Sequence, residues 1–335
     1  MAQHSVRYKE ASLWGAEWIA DRQRPNGALP SKTDVIESCY KGMWALHMSG
    51  RTREAWQLAD HVESLLQPNG DIPVPREEQY FLDVHYLYAN GYLAIGAHQL
   101  GRFGLSDRLM GFIRTMQNPI HGGFRSHGPQ VEGDQRCDSV STSIAGLAAL
   151  YTGQREVAVP ASLFLAKMFE RQPDRDNVFY VTADVEGRLL TAGDARALKV
   201  TEPEQDWYFL GLPALFFAQL YEVTGDEAHL ALARSYMDYM DKSCDPDVFV
   251  DSSAGKAGVA AAVLHRLTGQ PRYLEIATQV GDLFVSRQDK AGFWTEESLD
   301  EEPSELAWSD LDMTAEYVVW LDLIARNLSG RMGSR

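Results

Sequence analysis

Cysteine is scarce in this 335-residue chain: Cys39, Cys137 and Cys244 are the whole complement, odd in number and far apart. That excludes a disulfide framework and any paired-cysteine zinc site, and is in keeping with a reducing compartment. Uninterrupted apolar runs are short. None reaches the roughly 18 residues that a membrane-spanning helix needs, and Met1 to Trp14 shows no apolar core flanked by positive charge, so no integral membrane segment is expected and a cytoplasmic location is. Basic residues are also in deficit, 31 Lys and Arg against 47 Asp and Glu for a net charge of −16. Without a Lys/Arg cluster, nucleic acid is excluded as a partner. Phosphate-cradling and metal fingerprints are missing too: no GxGxxG follows a strand, and there is no Walker A run and no HExxH, so neither an organic cofactor nor a metal is expected.

What remains is an ordinary globular composition, 45% hydrophobic, 23% charged and 10% aromatic, organised by repetition. A small-residue block ending in glycine recurs at Gly50, Gly101, Gly153, Gly225 and Gly269, each followed at once by an amphipathic run. The spacings are 51, 52, 72 and 44 residues, a period near fifty with one insertion. A glycine there ends one helix in the left-handed region before the next begins. The second helix of each pair runs into a turn containing glutamine, at Gln23, Gln67, Gln117, Gln172 and Gln288. The leading helices are rich in small and apolar residues all round, as in Ser141–Tyr151 and Gly255–Leu267, which is the pattern of an enclosed helix. Pairing the N-terminal run 8–21 with the final run 309–328 makes twelve helices, six inside six. The fold expected is all-α, a closed (α/α)6 toroid, as a single domain over 1–335. The excess length of the one long interval contains VFYVTADVEGRLLTA (178–192), expected as a β-hairpin at the rim or as a lid.

In such a toroid the loops entering the inner helices are the long ones, so the open mouth lies where inner helices begin, at the positive ends of their dipoles. Acids collect there: Asp34, Asp83, Asp138, Asp206, Asp251, Asp310 and Asp312. Each is equally well accounted for as a helix cap, worth about 1 kcal/mol, most plainly Asp138 before SVST and Asp251 before SSAG. Two arrangements ask for more. Asp34 and Glu37 lie three apart on one helix face beside Tyr40, and Asp310 with Asp312 cannot both be the same cap. Like charges in a confined site raise one carboxyl pKa, the condition for a general acid near neutral pH. His85 and Asp83 add acid/base candidates. Tyr86, Tyr88, Trp207, Tyr208, Trp294 and Trp308 are expected to line an apolar cavity, with Asp206 and Cys137 at its rim, although core packing accounts for each aromatic taken alone. His121 and His127 are read as surface residues.

The run Gly281-Asp-Leu-Phe284-Val-Ser-Arg-Gln288-Asp-Lys-Ala-Gly292-Phe-Trp294 resembles the QW repeat of squalene–hopene-type triterpene cyclases, with Val280 where the repeat has a basic residue. Gln117 to Phe124 is similar to the repeat of protein prenyltransferase β subunits, whose zinc ligands are missing here. Asp310-Leu-Asp312-Met313-Thr314-Ala315 resembles the DxDDTA segment of class II terpene cyclases, with Met313 in place of the last aspartate. A looser likeness is to linalool dehydratase-isomerase, whose acid/base groups would have counterparts in Asp34, Tyr40 and a mouth cysteine. The resemblance implies acid-initiated cyclisation, isomerisation or hydration/dehydration of a small hydrophobic isoprenoid or polyketide-type substrate, with Asp312 as the acid and Asp310 as its relay. Two other readings stay open. One is a carbohydrate-active α/α-barrel enzyme (glycoside hydrolase, lyase or epimerase) using a carboxylate pair such as Asp34 or Glu37 with Asp206. The other is a non-enzymatic binding toroid in which the acids only cap helices.

Overall fold

A computed structural model describes residues 2–30, 36, 39–72, 84–193, 195–295 and 308–329. Asp34, Glu37 and Asp83 lie outside them, as does the side chain of Trp308. Among the described residues twelve α-helices alternate between an outer and an inner ring. The outer helices are α1 (Ala2–Ala20), α3 (Thr52–Leu65), α5 (Phe103–Thr115), α7 (Arg155–Glu170), α9 (Glu227–Ser243) and α11 (Pro271–Ser286). The inner ones are α2 (Gly42–Met48), α4 (Leu87–Gln99), α6 (Ser139–Tyr151), α8 (Tyr208–Thr224), α10 (Gly255–Thr268) and α12 (Trp308–Ser329). Each inner helix packs on the next, and α12 packs on α2, so the inner ring closes. The described residues thus form the expected (α/α)6 toroid, and among them no helix is long and apolar enough to cross a membrane.

Burial follows ring position. Every residue of α4 from Leu87 to Ala97 is buried, whereas α3 buries only Ala55, Leu58, Ala59 and Val62, the one-sided stripe of a helix that faces solvent. All five repeat glycines take positive φ, from 67° at Gly225 to 84° at Gly101. At Gly50, Gly101, Gly153 and Gly225 an added Cβ would meet nothing within 4 Å. The left-handed backbone, not crowding, therefore calls for glycine there.

The recurring glutamines have a shared mechanical task. Gln23 Nε2 donates to the carbonyls of Gly27 and Glu54, both at 2.9 Å. Gln117 does the same to Gly122 and Val157, both at 3.0 Å, and Gln288 to Gly292 at 2.8 Å and Ala11 at 2.9 Å. In each case one side-chain amide closes its own turn and ties it to a neighbouring outer helix. Gln172 closes onto Met168 and Tyr180 instead, because the insertion follows it. That insertion carries β2 (Val178–Tyr180), β3 (Thr182–Ala183) and β4 (Ala197–Lys199). The expected hairpin over 178–192 is reduced to one bridge, Ala183 to Leu189, around a turn at Gly187. The longer pairings join β2 to β4 and β3 to β1 (Cys137–Asp138), both antiparallel, so the insertion is stitched to the start of α6.

Replacing Gln288 by alanine leaves the carbonyls of Ala11 and Gly292 without that donor and is expected to cost about 1–3 kcal/mol. Thermal melts should show a midpoint several degrees lower, with Gln67→Ala, at an exposed side chain, as the near-neutral control.

Candidate functional site

The inner helices place their N-terminal residues around the toroid axis, and the side chains there fall into layers. Deepest is an aromatic plug: the ring of Trp44 (α2) meets Tyr151 (α6) at 5.5 Å, Tyr92 (α4) at 6.2 Å and Trp320 (α12) at 6.3 Å. Edge-on and tilted contacts of this kind are the favourable ones for aromatic rings.

Toward the mouth lies a buried ionic cluster. Glu316 and Asp312 stand four residues apart on one face of α12, one above the other. Lys41, just before α2, and Lys256, in the first turn of α10, each pair with Glu316, and Trp320 Nε1 donates to Glu316 Oε1 at 2.9 Å. Lys41 Nζ also reaches Asp312 Oδ2 at 3.1 Å, and the Tyr40 hydroxyl donates to the same oxygen at 3.2 Å. Asp312 Oδ1 is buried without a hydrogen-bond partner among the described residues. Both ammonium groups rest on aromatic faces: Lys41 is 4.8 Å from the Tyr40 ring centre and 5.6 Å from Tyr88. Lys256 is 5.3 Å from Tyr208 and 5.4 Å from Trp320.

This arrangement pushes the titrations apart. Burial, aided by the charge of Glu316, holds the Asp312 carboxyl above its usual range against the pull of Lys41. For Glu316 burial acts in the same sense, but Lys256 and Lys41 overcome it and hold it well below the usual carboxylate range. Burial and the neighbouring Lys41 lower Lys256, with Glu316 opposing. For Lys41 the two carboxylates outweigh burial, and its pKa is raised. Tyr40, Tyr88 and Tyr92 are driven upward, chiefly by burial, and stay phenols. Two neighbouring carboxyls whose pKa values are pushed apart in this way form an acid/base pattern.

A second group sits beside it. His85 Nδ1 lies 3.0 Å from Asp138 Oδ1, and its Nε2 lies 2.8 Å from Arg196 Nη1. Asp138 is the N-cap of α6, accepting from Ser141 N at 2.8 Å. Burial acts to raise the Asp138 carboxyl, but His85 and the Ser141 amide bring it below its usual range. Asp251 likewise makes the cap expected of it, to Ser253 N at 2.7 Å.

Of the residues singled out in the sequence, Asp312, Tyr40, Tyr88 and Tyr208 gather at the ionic cluster, and His85 at its neighbour. Others go elsewhere. Asp310 lies two residues, about 200° of helix, from Asp312, so the two do not share a face, and Asp312 pairs with Tyr40 and Lys41 instead. Tyr86 turns outward, its hydroxyl donating to Asp71 Oδ2 at 2.7 Å and its ring against Phe112 of α5. Trp294 is 1% exposed between the rings of helices, with Nε1 on the Phe284 carbonyl at 2.7 Å and its face edge-on to Tyr317. Trp207 is buried at the start of α8, its amide donating to Ser253 Oγ. Cys137 is fully buried in β1, and burial pushes its thiol far up, so it stays a packed thiol rather than a rim group. Asp206 is exposed and hydrogen-bonds the Tyr208 hydroxyl. Among the described residues no group of three His, Cys, Asp or Glu is placed to hold a metal ion.

Sequence reasoning passed over Lys41, Lys256, Glu316 and Arg196. A signal existed for three of them: each is a lone charge in an apolar stretch, as in GKAGVAAAV and TAEYVVW, and charged residues are almost never fully buried unless paired.

No family model and no curated protein matches the chain; its likenesses are to solved structures. A D-mannose isomerase superposes with a TM-score of 0.69 at 12% identity, over 96% of this chain and 98% of that one. A family 76 α-1,6-mannanase from Salegentibacter sp., studied as an inactive variant with two adjacent aspartates replaced and in complex with α-1,6-mannotriose, gives 0.64 at 13%, over 96% and 99%. An unsaturated glucuronyl hydrolase specific for heparin gives 0.62 at 12%, over 98% of each. At these identities the likeness establishes the α/α-toroid fold, which these enzymes share.

Removing Glu316 takes from buried Lys256 its carboxylate partner and leaves Lys41 with Asp312 alone, so Glu316→Gln is expected to lose about 3–5 kcal/mol near neutral pH. Because the folded Glu316 pKa is depressed, its contribution is present above the unfolded value of about 4.3 and is lost as pH falls below it. Asp312 has the opposite sign: its raised folded pKa gives stability below the unfolded value of about 3.9, lost as pH rises. Melts from pH 4 to 8 should therefore show Asp312→Asn gaining on the wild type as pH rises, and Glu316→Gln well below it at pH 7.

Proposed function

We propose that the protein is a carbohydrate-active enzyme that transfers a proton on a sugar, of isomerase or epimerase type, with Asp312 as a proton-exchanging group. The observation that carries this is the occupation of the aromatic faces at the axis by Lys41 and Lys256. A carbocation needs those faces for itself, and two resident ammonium groups would repel it. The same groups suit a hydroxylated substrate, offering ammonium and phenol donors, aromatic surfaces for a pyranose ring, and in Asp312 Oδ1 an acceptor with an unused lone pair. The acid-initiated reaction of an isoprenoid is therefore the weaker reading. The sugar enzymes that share the fold lend support, as the D-mannose isomerase in particular does.

Proton transfer is favoured over hydrolysis because Glu316 has both oxygens engaged, Oε1 by Lys256 and Trp320 and Oε2 by Lys41. Asp312 is thus left as the one carboxylate of this cluster with an open oxygen. The mannanase variant is inactive with two adjacent aspartates replaced, and this sequence contains no Asp-Asp pair. Glycoside hydrolysis remains the second reading, supported by the mannanase fold. It requires a partner carboxylate for Asp312, for which Asp34, Glu37 and Asp83 are the candidates on the segments entering α2 and α4.

Incubation with D-mannose, D-glucose, D-fructose and α-1,6-mannotriose in deuterated water, followed by NMR, separates the readings. Deuterium at the carbon beside the carbonyl is expected, and Asp312→Asn should slow it by about 10²–10⁴-fold with the thermal midpoint within a few degrees of the wild type. New reducing ends from the trisaccharide would favour hydrolysis. Turnover of none of these sugars would sink the carbohydrate reading.

A further inference from the structure

The insertion between α7 and α8 sends one side chain into the site, and its geometry assigns it a role. Arg196 lies between β3 and β4, its backbone held by Val181 N to its carbonyl at 2.9 Å and by its own amide toward Thr182 Oγ1 at 3.4 Å. From there the half-buried guanidinium reaches His85 Nε2. A guanidinium can only donate, so Nε2 presents a lone pair to it and the ring hydrogen sits on Nδ1, donated to Asp138. The ring is fully buried, with Phe209 edge-on at 5.5 Å, and Asp138 is fixed by the Ser141 amide. The imidazole has therefore one tautomer and one orientation. Among the described residues Asp138 Oδ2 is buried with no hydrogen-bond partner, an acceptor suited to a hydroxyl donor. Tyr208, whose ring carries Lys256, is close enough to Arg196 to feel its charge, which joins this group to the ionic cluster.

We infer that Asp138, His85 and Arg196 are a proton-transfer triad, in which insertion-borne Arg196 holds the His85 lone pair in the resting enzyme and yields it to a proton on a substrate carbon. The identity of that substrate rests on the carbohydrate reading above. In the step implied, Nε2 takes the proton from the carbon beside an open-chain carbonyl. The C–H pair becomes the carbon–carbon double bond of an enediolate, and the carbonyl pair moves to oxygen beside the guanidinium. Asp138 stabilises the imidazolium, which after exchange with solvent returns a proton to the neighbouring carbon, while Asp312 takes the proton of the adjacent hydroxyl and one is delivered to the former carbonyl oxygen, so no oxidant or reductant is consumed. His85 is the catalytic residue; Asp138 and Arg196 act through it as positioning residues, and Asp138 Oδ2 receives a substrate hydroxyl.

The test uses the full chain labelled with ¹⁵N-histidine, the His85 signals being assigned by their loss in His85→Asn. At pH 7.5 the expected spectrum is a single tautomer, protonated at Nδ1 and bare at Nε2. An Nε2–H tautomer or a doubly protonated ring overturns the triad whether or not a sugar is turned over. Arg196→Ala is expected to shift the Nε2 resonance and to lower kcat for interconversion of D-mannose and D-fructose by about 10²–10³-fold, with KM nearly constant. Added guanidinium ion should restore at least part of that loss, and Arg196→Lys should retain more activity than the alanine variant, neither of which a purely structural arginine would produce. Unchanged spectrum and turnover in Arg196→Ala would also overturn it. The expected tautomer and Nε2 shift, in a protein that leaves both sugars untouched, support the triad and count against the carbohydrate reading alone.

Discussion

The centre of this molecule depends on one carboxylate. Glu316 on α12 is held by Lys41 at the start of α2 and by Lys256 at the start of α10, so three inner helices meet at a single buried anion. An ion pair removed from water must be satisfied by close geometry or it costs more than it returns. Here both oxygens are engaged, one ring nitrogen included, and the lysine charges are spread over tyrosine and tryptophan faces. Everything nearer the mouth inherits this geometry. Asp312, one turn above, has its carboxyl held above its usual range by burial, with the charge of Glu316 adding to it.

The scaffold that brings these groups together is simpler. Three joins between outer helices are made by glutamine side chains, Gln23, Gln117 and Gln288, that cross from one turn to a neighbouring outer helix, the QW-like run around Gln288 being the copy that ties α11 to α1. Trp294 in that run is a structural wedge between the two rings, which explains how a signature shared with triterpene cyclases can occur without any bearing on the substrate. The ring is closed at this join, with Ser12 Oγ on the Val318 carbonyl and the Tyr8 hydroxyl on Asp282.

The insertion after α7 breaks the regular period and carries Arg196 to His85. Its strands pair with each other and with the two residues before α6, which delivers Arg196 to a histidine 111 residues earlier in the chain. The toroid is thus elaborated on a connecting segment, where loops can change without disturbing the rings.

Sequence periodicity by itself determined the helix count and the inner and outer assignment, and the local sequence the cap at Asp138. These are local properties: a left-handed glycine, an apolar helix face and an aspartate before a helix each act within one turn of the chain. Only the tertiary structure decided which of those residues meet. Trp294, Tyr86 and Cys137 have the composition of cavity residues, yet they face into the packing between layers, because a helix packed on several sides offers apolar residues more places to be buried than one. Lys41, Glu316 and Lys256 are separated by 275 and 60 residues along the chain. Pairing over such distances leaves no spacing in the sequence, since it is set by where closure of the ring brings the helix ends, and not by any period along a single helix.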